Sequence, residues 1–228
     1  EGGKDPIFQR EIEEKFFYAE FDGRRYVFRD QPTITKLIES TMANLSLTAV
    51  KDGIRKKAQE IFDGFVFELI PFPVGPENVP DRSGKPLLVL LDFDHVEVDP
   101  GSDMVPRPVE EIFQYAGESR EFRNHLNNLV VVAVDRTKKE AMLEASRRAQ
   151  AIEQLLASEP QRKRLSKESL HKLRQLADDA QLRYRVAITN AYSQIFYRSL
   201  HNGQIDRFEL PAQDSGDARR GAQEVIKS

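Results

Sequence analysis

The sequence predicts an α/β fold: a mostly parallel sheet flanked by helices, with an N-terminal β-hairpin unit in front and a long C-terminal helix behind. Three observations predict it. Leu87-Leu88-Val89-Leu90-Leu91 and Leu129-Val130-Val131-Val132-Ala133-Val134 are apolar without alternation, as strands covered on both faces are. Segments of helical period separate and follow these runs. Two aromatic-rich runs, residues 16–21 and 24–29, flank Asp22-Gly23, a pair that hairpin turns favour because Gly accepts positive φ.

Taken in order, the hairpin leads through Asp30-Gln31-Pro32-Thr33, a breaker, into a short helix over 34–38. A helix over 45–63 follows, with Leu47, Val50, Ile54, Ala58 and Ile61 near one face. Residues 65–70 read as a strand. Pro71, Pro73, Gly75, Pro76 and Pro80 make the next stretch a loop up to Gly84, since proline gives no amide to a ladder. The strand 87–93 comes next, then a Pro- and Gly-rich loop over 99–108, and short helices over 109–115 and 118–126. The second apolar strand ends on Asp135. Thr137 and Glu140 have the spacing of a capping box at the head of a helix that ends at Glu159-Pro160. Arg162-Lys163-Arg164 reads as a basic connector. Ser166 is expected to cap a helix reaching about Leu200, roughly 50 Å long, stopped by Asn202-Gly203. Residues 205–210 read as an edge strand. The domain boundaries expected are 1–44 for the hairpin and short helix, 45–212 for the α/β domain and 213–228 for a polar tail.

Composition narrows the function classes. A net charge of −3 over 228 residues leaves no global basic field to attract nucleic acid, though local basic patches remain open. Cysteine is absent, so disulfides and thiolate metal sites are excluded; this fits a cytoplasmic location. No apolar run approaches the roughly 20 residues that span a bilayer. The first residue is Glu1 and no signal peptide opens the chain, so we read it as a piece of a larger protein.

Asp92-Phe93-Asp94 is the sharpest chemical feature. Asp-x-Asp after a buried strand resembles the first motif of haloacid-dehalogenase-like phosphatases, which would make Asp92 a nucleophile, Asp94 an acid/base and Mg²⁺ their bridge. The other parts of that pattern are missing: no second strand ends in Ser or Thr, and Asp178-Asp179 falls inside a helical stretch. A looser metal site from Asp92, Asp94 and Asp135 stands, because both apolar strands would bring acids to the carboxyl edge of a parallel sheet. The plain reading is that strands end in polar residues where they enter water. Gly75 to Lys85 lacks phosphate-loop spacing, with Pro80 where a Gly is required. His95, His125, His171 and His201 have no ligand spacing. Arg24, Arg25 and Arg29 on the hairpin are the candidate nucleic-acid contacts, a protruding turn carrying positive charge. Arg123 and Asn124 fit either carbonyl-fixing or a partner's phosphate. Arg147-Arg148 and Arg162-Lys163-Arg164 read as solvated helix-end charges.

Four stretches occur together in a recognisable order: "GRRYVFRDQPTITKLIES", "PENVPD" before "KPLLVLL", "GESREFRNHLNNLVVVAVDRTKKEAMLEASRRAQAIEQL" and "LRYRVAITNAYSQIFY". Together they resemble the C-terminal region of a family of large prokaryotic AAA+ ATPase-like proteins, domain-of-unknown-function family four hundred and ninety-nine, found beside DNA methyltransferases in phage-defence clusters. The resemblance covers roughly residues 16–200. It implies that ATP and Mg²⁺ bind only in a part of the parent N-terminal to this region, and that the hairpin ends a winged-helix-like lid. No catalytic residue or cofactor is carried over to this segment by it. The implied partners are the rest of the parent ATPase, and DNA with a DNA methyltransferase system; no membrane is implied. The function expected is a non-catalytic accessory module that docks to the ATPase core, a partner protein or DNA. The alternatives are a Mg²⁺-dependent phosphoesterase or nuclease and an oligomerisation scaffold.

Overall fold

The structure is a computed structural model and describes residues 19–21, 26–28, 33–82, 84–213 and 226. The chain forms two compact units, one of Glu1–Leu47 with Arg147–Ala180, the other of Thr48–Ser146 with Gln181–Ser228. Both units are discontinuous in sequence, which a reading along the chain has no means to see.

In the first unit, β1 (Ala19–Phe21) and β2 (Tyr26–Phe28) pair antiparallel, Phe21 opposite Tyr26. Helix α1 (Ile34–Asn44) begins where Thr33 accepts a hydrogen bond from the Lys36 amide, the N-cap arrangement that satisfies an orphan donor. It runs well beyond the expected 34–38. Its other described elements are helical: the later part of α4 (Lys139–Ala157), α5 (Glu159–Arg164) and the first half of α6 (Lys167–Ala191). Ser166 caps α6 by accepting from the Ser169 amide. The basic connector is therefore a short helix, which Pro160 helps to start because its fixed φ suits the first turn.

The second unit holds the sheet. Its strand order is β10 (Ile205–Glu209), β9 (Gln194–Arg198), β8 (Leu129–Asp135), β4 (Leu87–Leu90) and β3 (Glu68–Pro71). β3, β4 and β8 are parallel; β9 and β10 add an antiparallel hairpin on one side. Val89, Val131 and Phe196 stand in register and form one core with Val109, Ile112 and Phe113 of α3 (Arg107–Gln114). The alternate set, Leu88, Leu90, Val132, Val134 and Ile195, is buried as well. Both faces are covered, as the unbroken apolar runs required. On α2 (Leu47–Phe62), Val50, Ile54, Ala58 and Ile61 are buried as the period predicts, while Leu47 is exposed. No helix among the described residues is long and apolar enough to cross a membrane.

Several expectations are corrected. The long helix ends at Ala191 and not near Leu200, because Ile195 and Phe196 are buried in β9, paired to β8. Asn202-Gly203 does not stop a helix; it turns the β9–β10 hairpin, with Gly203 at φ 69°. Residues 118–125 are not helical, and a 3-10 turn begins only at Leu126. They carry a two-residue hairpin, β6 (Tyr115–Ala116) with β7 (Glu121–Phe122), turned by Gly117 and Arg120 at positive φ. Tyr115 and Phe122 pack ring to ring at 5.5 Å across it. Thr137 is not a capping-box N-cap: its hydroxyl donates to Asp135, whose carboxylate also accepts from the Thr137 amide.

Candidate carboxyl-edge site

The strand 87–93 is shorter than expected because the chain leaves the sheet after Leu90. The Leu91 amide still reaches the Val132 carbonyl at 2.9 Å. Then Asp92 turns the chain: its carbonyl accepts from the amides of His95 and Val96, and its carboxylate accepts from the Asp94 amide. Phe93 drops into the core, fully buried. The chain rejoins β8 as β5 (Glu97–Val98), with Val98 opposite Asp135. A tight excursion thus places two acids beyond the carboxyl end of β4, where parallel sheets bind ligands.

Helix α2 meets these acids with two cations one turn apart. Arg55 Nε donates to Asp92 Oδ2 at 3.0 Å and Nη2 to Oδ1 at 3.4 Å, a fork on a carboxylate. The Asp92 hydrogen bond raises the Arg55 pKa above its ordinary value. Lys51 Nζ lies 2.7 Å from Asp94 Oδ2, and this hydrogen bond holds Asp94 below the usual carboxylate value. Arg55 and Lys139 approach the Phe93 ring at 5.6 and 5.9 Å. Asp135 is separately served. Burial pushes it up, but the Thr137 hydroxyl and amide and the Lys138 ammonium at 3.1 Å outweigh this and hold it low. Lys138 also reaches Glu209 at 2.9 Å. Burial drives the Tyr192 phenol up, so it stays a neutral hydroxyl.

A cavity of about 330 Å³ opens beside the turn, between Phe72 and Val74 after β3, Asp92 and His95 after β4, and Glu111 and Ile112 of α3. Phe72 has φ 52°, a conformation that costs a non-glycine residue energy and that clusters at ligand sites. The cavity's acids are neutralised from outside, Asp92 by Arg55 and Glu111 by Arg107 at 2.9 Å and Arg120 at 2.8 Å. His95 Nδ1 stands 3.5 Å from Asp92. No hydroxyl, thiol or amine side chain lines the cavity among the described residues, so it offers apolar contact and one imidazole but no such nucleophile.

The structure therefore brings Asp92 and Asp94 together and gives Asp135 its own cation. A divalent ion here would have to displace Lys51, Arg55 and Lys138. Among the described residues no three His, Asp or Glu side chains form a metal-ligand group. As it stands, each of these carboxylates already accepts from a Lys or Arg. Arg24, Arg25 and Arg29 lie outside the described residues. Asp178 and Asp179 are exposed within α6. Arg123 takes the carbonyl-fixing role: it is buried and donates to the carbonyls of Ile112, Pro80, Val79 and Tyr115 at 2.7 to 3.1 Å. Lys51, Arg55, Lys138 and Lys139 are not among the candidates that the sequence offers. Lys51 and Arg55 share an i, i+4 face, but nothing local shows which acids that face meets.

The lowered pKa values predict an acid response. A carboxylate depressed in the folded state stabilises it fully above its unfolded value and loses that contribution as pH falls through the folded value. Asp94, Asp135 and Asp81 are all held below the ordinary 3.8. Thermal stability should hold steady from neutral pH to about 5 and fall below about pH 4. Asp94→Asn should melt lower at pH 7 and respond less steeply to acid. Equal acid slopes for both proteins would show that Asp94 contributes nothing to the response.

Comparison of the chain with family models, with curated proteins and with solved structures found no match in any of the three.

Proposed function

We propose that this chain is a non-catalytic interaction module, an accessory piece of the cytoplasmic AAA+ ATPase-like protein that its sequence resembles, docking to the ATPase core, a partner protein or DNA. The observation that supports this reading is the neutralised carboxyl edge. Asp92, Asp94 and Asp135 each face a Lys or Arg within 3.1 Å, an arrangement that supports the reading of these acids as strand ends neutralised within the fold. The adjoining cavity adds no hydroxyl, thiol or amine that would replace them. On this reading the cation–carboxylate pairs hold α2 against the strand ends and keep the excursion at residues 91–96 in shape. The resemblance supplies the setting, a defence-associated ATPase acting beside a DNA methyltransferase.

The test is thermal unfolding with Mg²⁺ or Mn²⁺ against a chelator control. Saturating a site at one hundred times Kd adds ~2.7 kcal/mol, worth roughly 5–10 °C for a chain of this size. The expected result is no shift. A shift of that size, abolished by Asp94→Asn, would overturn the reading and make the carboxyl edge a metal site.

A further inference from the structure

Between Arg162 and Arg174 the chain places six cations and one carboxylate within thirteen residues, in a protein whose net charge is −3. Arg162, Lys163, Arg164, Lys167, Lys172 and Arg174 are all exposed. Lys163 pairs with Glu159 at 2.8 Å; the other five have no carboxylate partner among the described residues. This contrasts with the carboxyl edge, where Lys51, Arg55 and Lys138 are each matched to an acid.

Helix electrostatics explain only part of the cluster. The C-terminal turn of α5 favours Arg162, Lys163 and Arg164. The first turn of α6 disfavours a cation, yet Lys167 opens it. Lys167, His171 and Arg174 then recur at i, i+4 and i+7, one stripe about 10 Å long. Leu173 is fully buried on another face, so the helix is anchored while the stripe stays in water. Lys167 and Arg174 flank the His171 imidazole, which contacts Gln175 at 3.2 Å, and with the cations at the end of α5 this exposed basic surface fits a rigid, dense and regular anion. Duplex DNA presents one phosphate per ~1.7 Å of axis, so about six over the length of the stripe. No aromatic residue lies between Glu159 and Ala180, and single strands are held by stacking on aromatic rings.

We propose that the basic knuckle formed by the end of α5 and the start of α6 docks on the phosphodiester backbone of duplex DNA, without reading base sequence. This deepens the interaction-module reading by naming a partner, and it rests on the DNA arm of that reading. The surface lies apart in sequence from the hairpin arginines.

The test is fluorescence anisotropy of a labelled random-sequence 20-base-pair duplex with the 228-residue chain, titrated between 50 and 200 mM salt. Binding should weaken with salt along a straight log–log line. The variant Arg162→Ala/Lys163→Ala/Arg164→Ala/Lys167→Ala should bind at least about tenfold more weakly, and its salt slope should be shallower by about one for each phosphate it no longer neutralises. Its melting temperature, read alongside, should stay at the wild-type value, since all four side chains are exposed. No duplex binding by the wild type, or equal binding by the variant, overturns the proposal. Competition by polyglutamate as effective as by unlabelled duplex also overturns it, and assigns the knuckle to an acidic protein surface. Loss of binding only in Arg24→Ala/Arg25→Ala/Arg29→Ala would overturn the knuckle yet leave the interaction-module reading standing. That reading fails separately, on the metal-dependent melting shift.

Discussion

Arg123→Met is expected to lower the stability of the second unit by about 3–5 kcal/mol, seen as a fall of roughly 10 °C or more in thermal unfolding. Arg123 is 5% exposed, and its guanidinium donates to four backbone carbonyls, two from the loop before β4 and two from α3 and β6. Burial pulls its pKa below the usual value, while the four carbonyls and Asp81 at 4.0 Å take the place of water around the charge. Methionine fills the aliphatic volume but leaves the carbonyls without donors. A cavity of about 580 Å³ borders Arg123 itself, and water entering the space the guanidinium vacates would keep the cost below four full penalties. Arg123→Lys should recover part of the loss, since an ammonium has three donors and a guanidinium five. A melting temperature within a degree or two of wild type for Arg123→Met would show that the carbonyls find water freely, and that the residue is dispensable to the fold.

Phe93→Ala should cost about 3–5 kcal/mol by the same measurement. The ring is fully buried at the centre of the excursion that carries Asp92 and Asp94, so its removal leaves a cavity and frees the turn. Phe93→Leu separates two contributions. It restores most of the packing but not the ring face that Arg55 and Lys139 approach. Leu should therefore recover most of the stability, and the remaining deficit of about 1 kcal/mol measures the cation–ring attraction. If Ala and Leu melt alike, packing is not what holds the turn, and the Arg55–Asp92 and Lys51–Asp94 pairs alone must hold it.

These two positions differ in how far the sequence announces them. Arg123-Asn124 stands out as a polar pair ahead of an apolar strand, and fixing carbonyls is one of its two readings. The Asp81 carboxylate that accepts from the Asn124 and His125 amides completes the arrangement, but it is more than forty residues away, beyond the reach of spacing. Asp92-Phe93-Asp94 reads as a strand end bearing acids. Its detour out of the sheet and back into β5 is not legible, because Val96 and Val98 look like a continuation of the same strand. Whether those acids are bare or paired depends on Lys51 and Arg55, roughly forty residues earlier on a helix.

Local sequence suffices for the two parallel strands at 87–90 and 129–135, the buried stripe of α2, the cap at Ser166 and the edge strand at 205–209. Each follows from period, propensity or cap chemistry, which act within a turn or a strand. Long-range packing settles that residues 194–198 leave a helical pattern to become β9, because Ile195 and Phe196 complete the buried faces of the sheet beside β8. It also settles that residues 115–122 turn as a hairpin, and that each acid at the carboxyl edge meets a cation. Those outcomes depend on which distant surface each segment is packed against, and pairing and burial at long range outweigh the local preferences that a sequence displays.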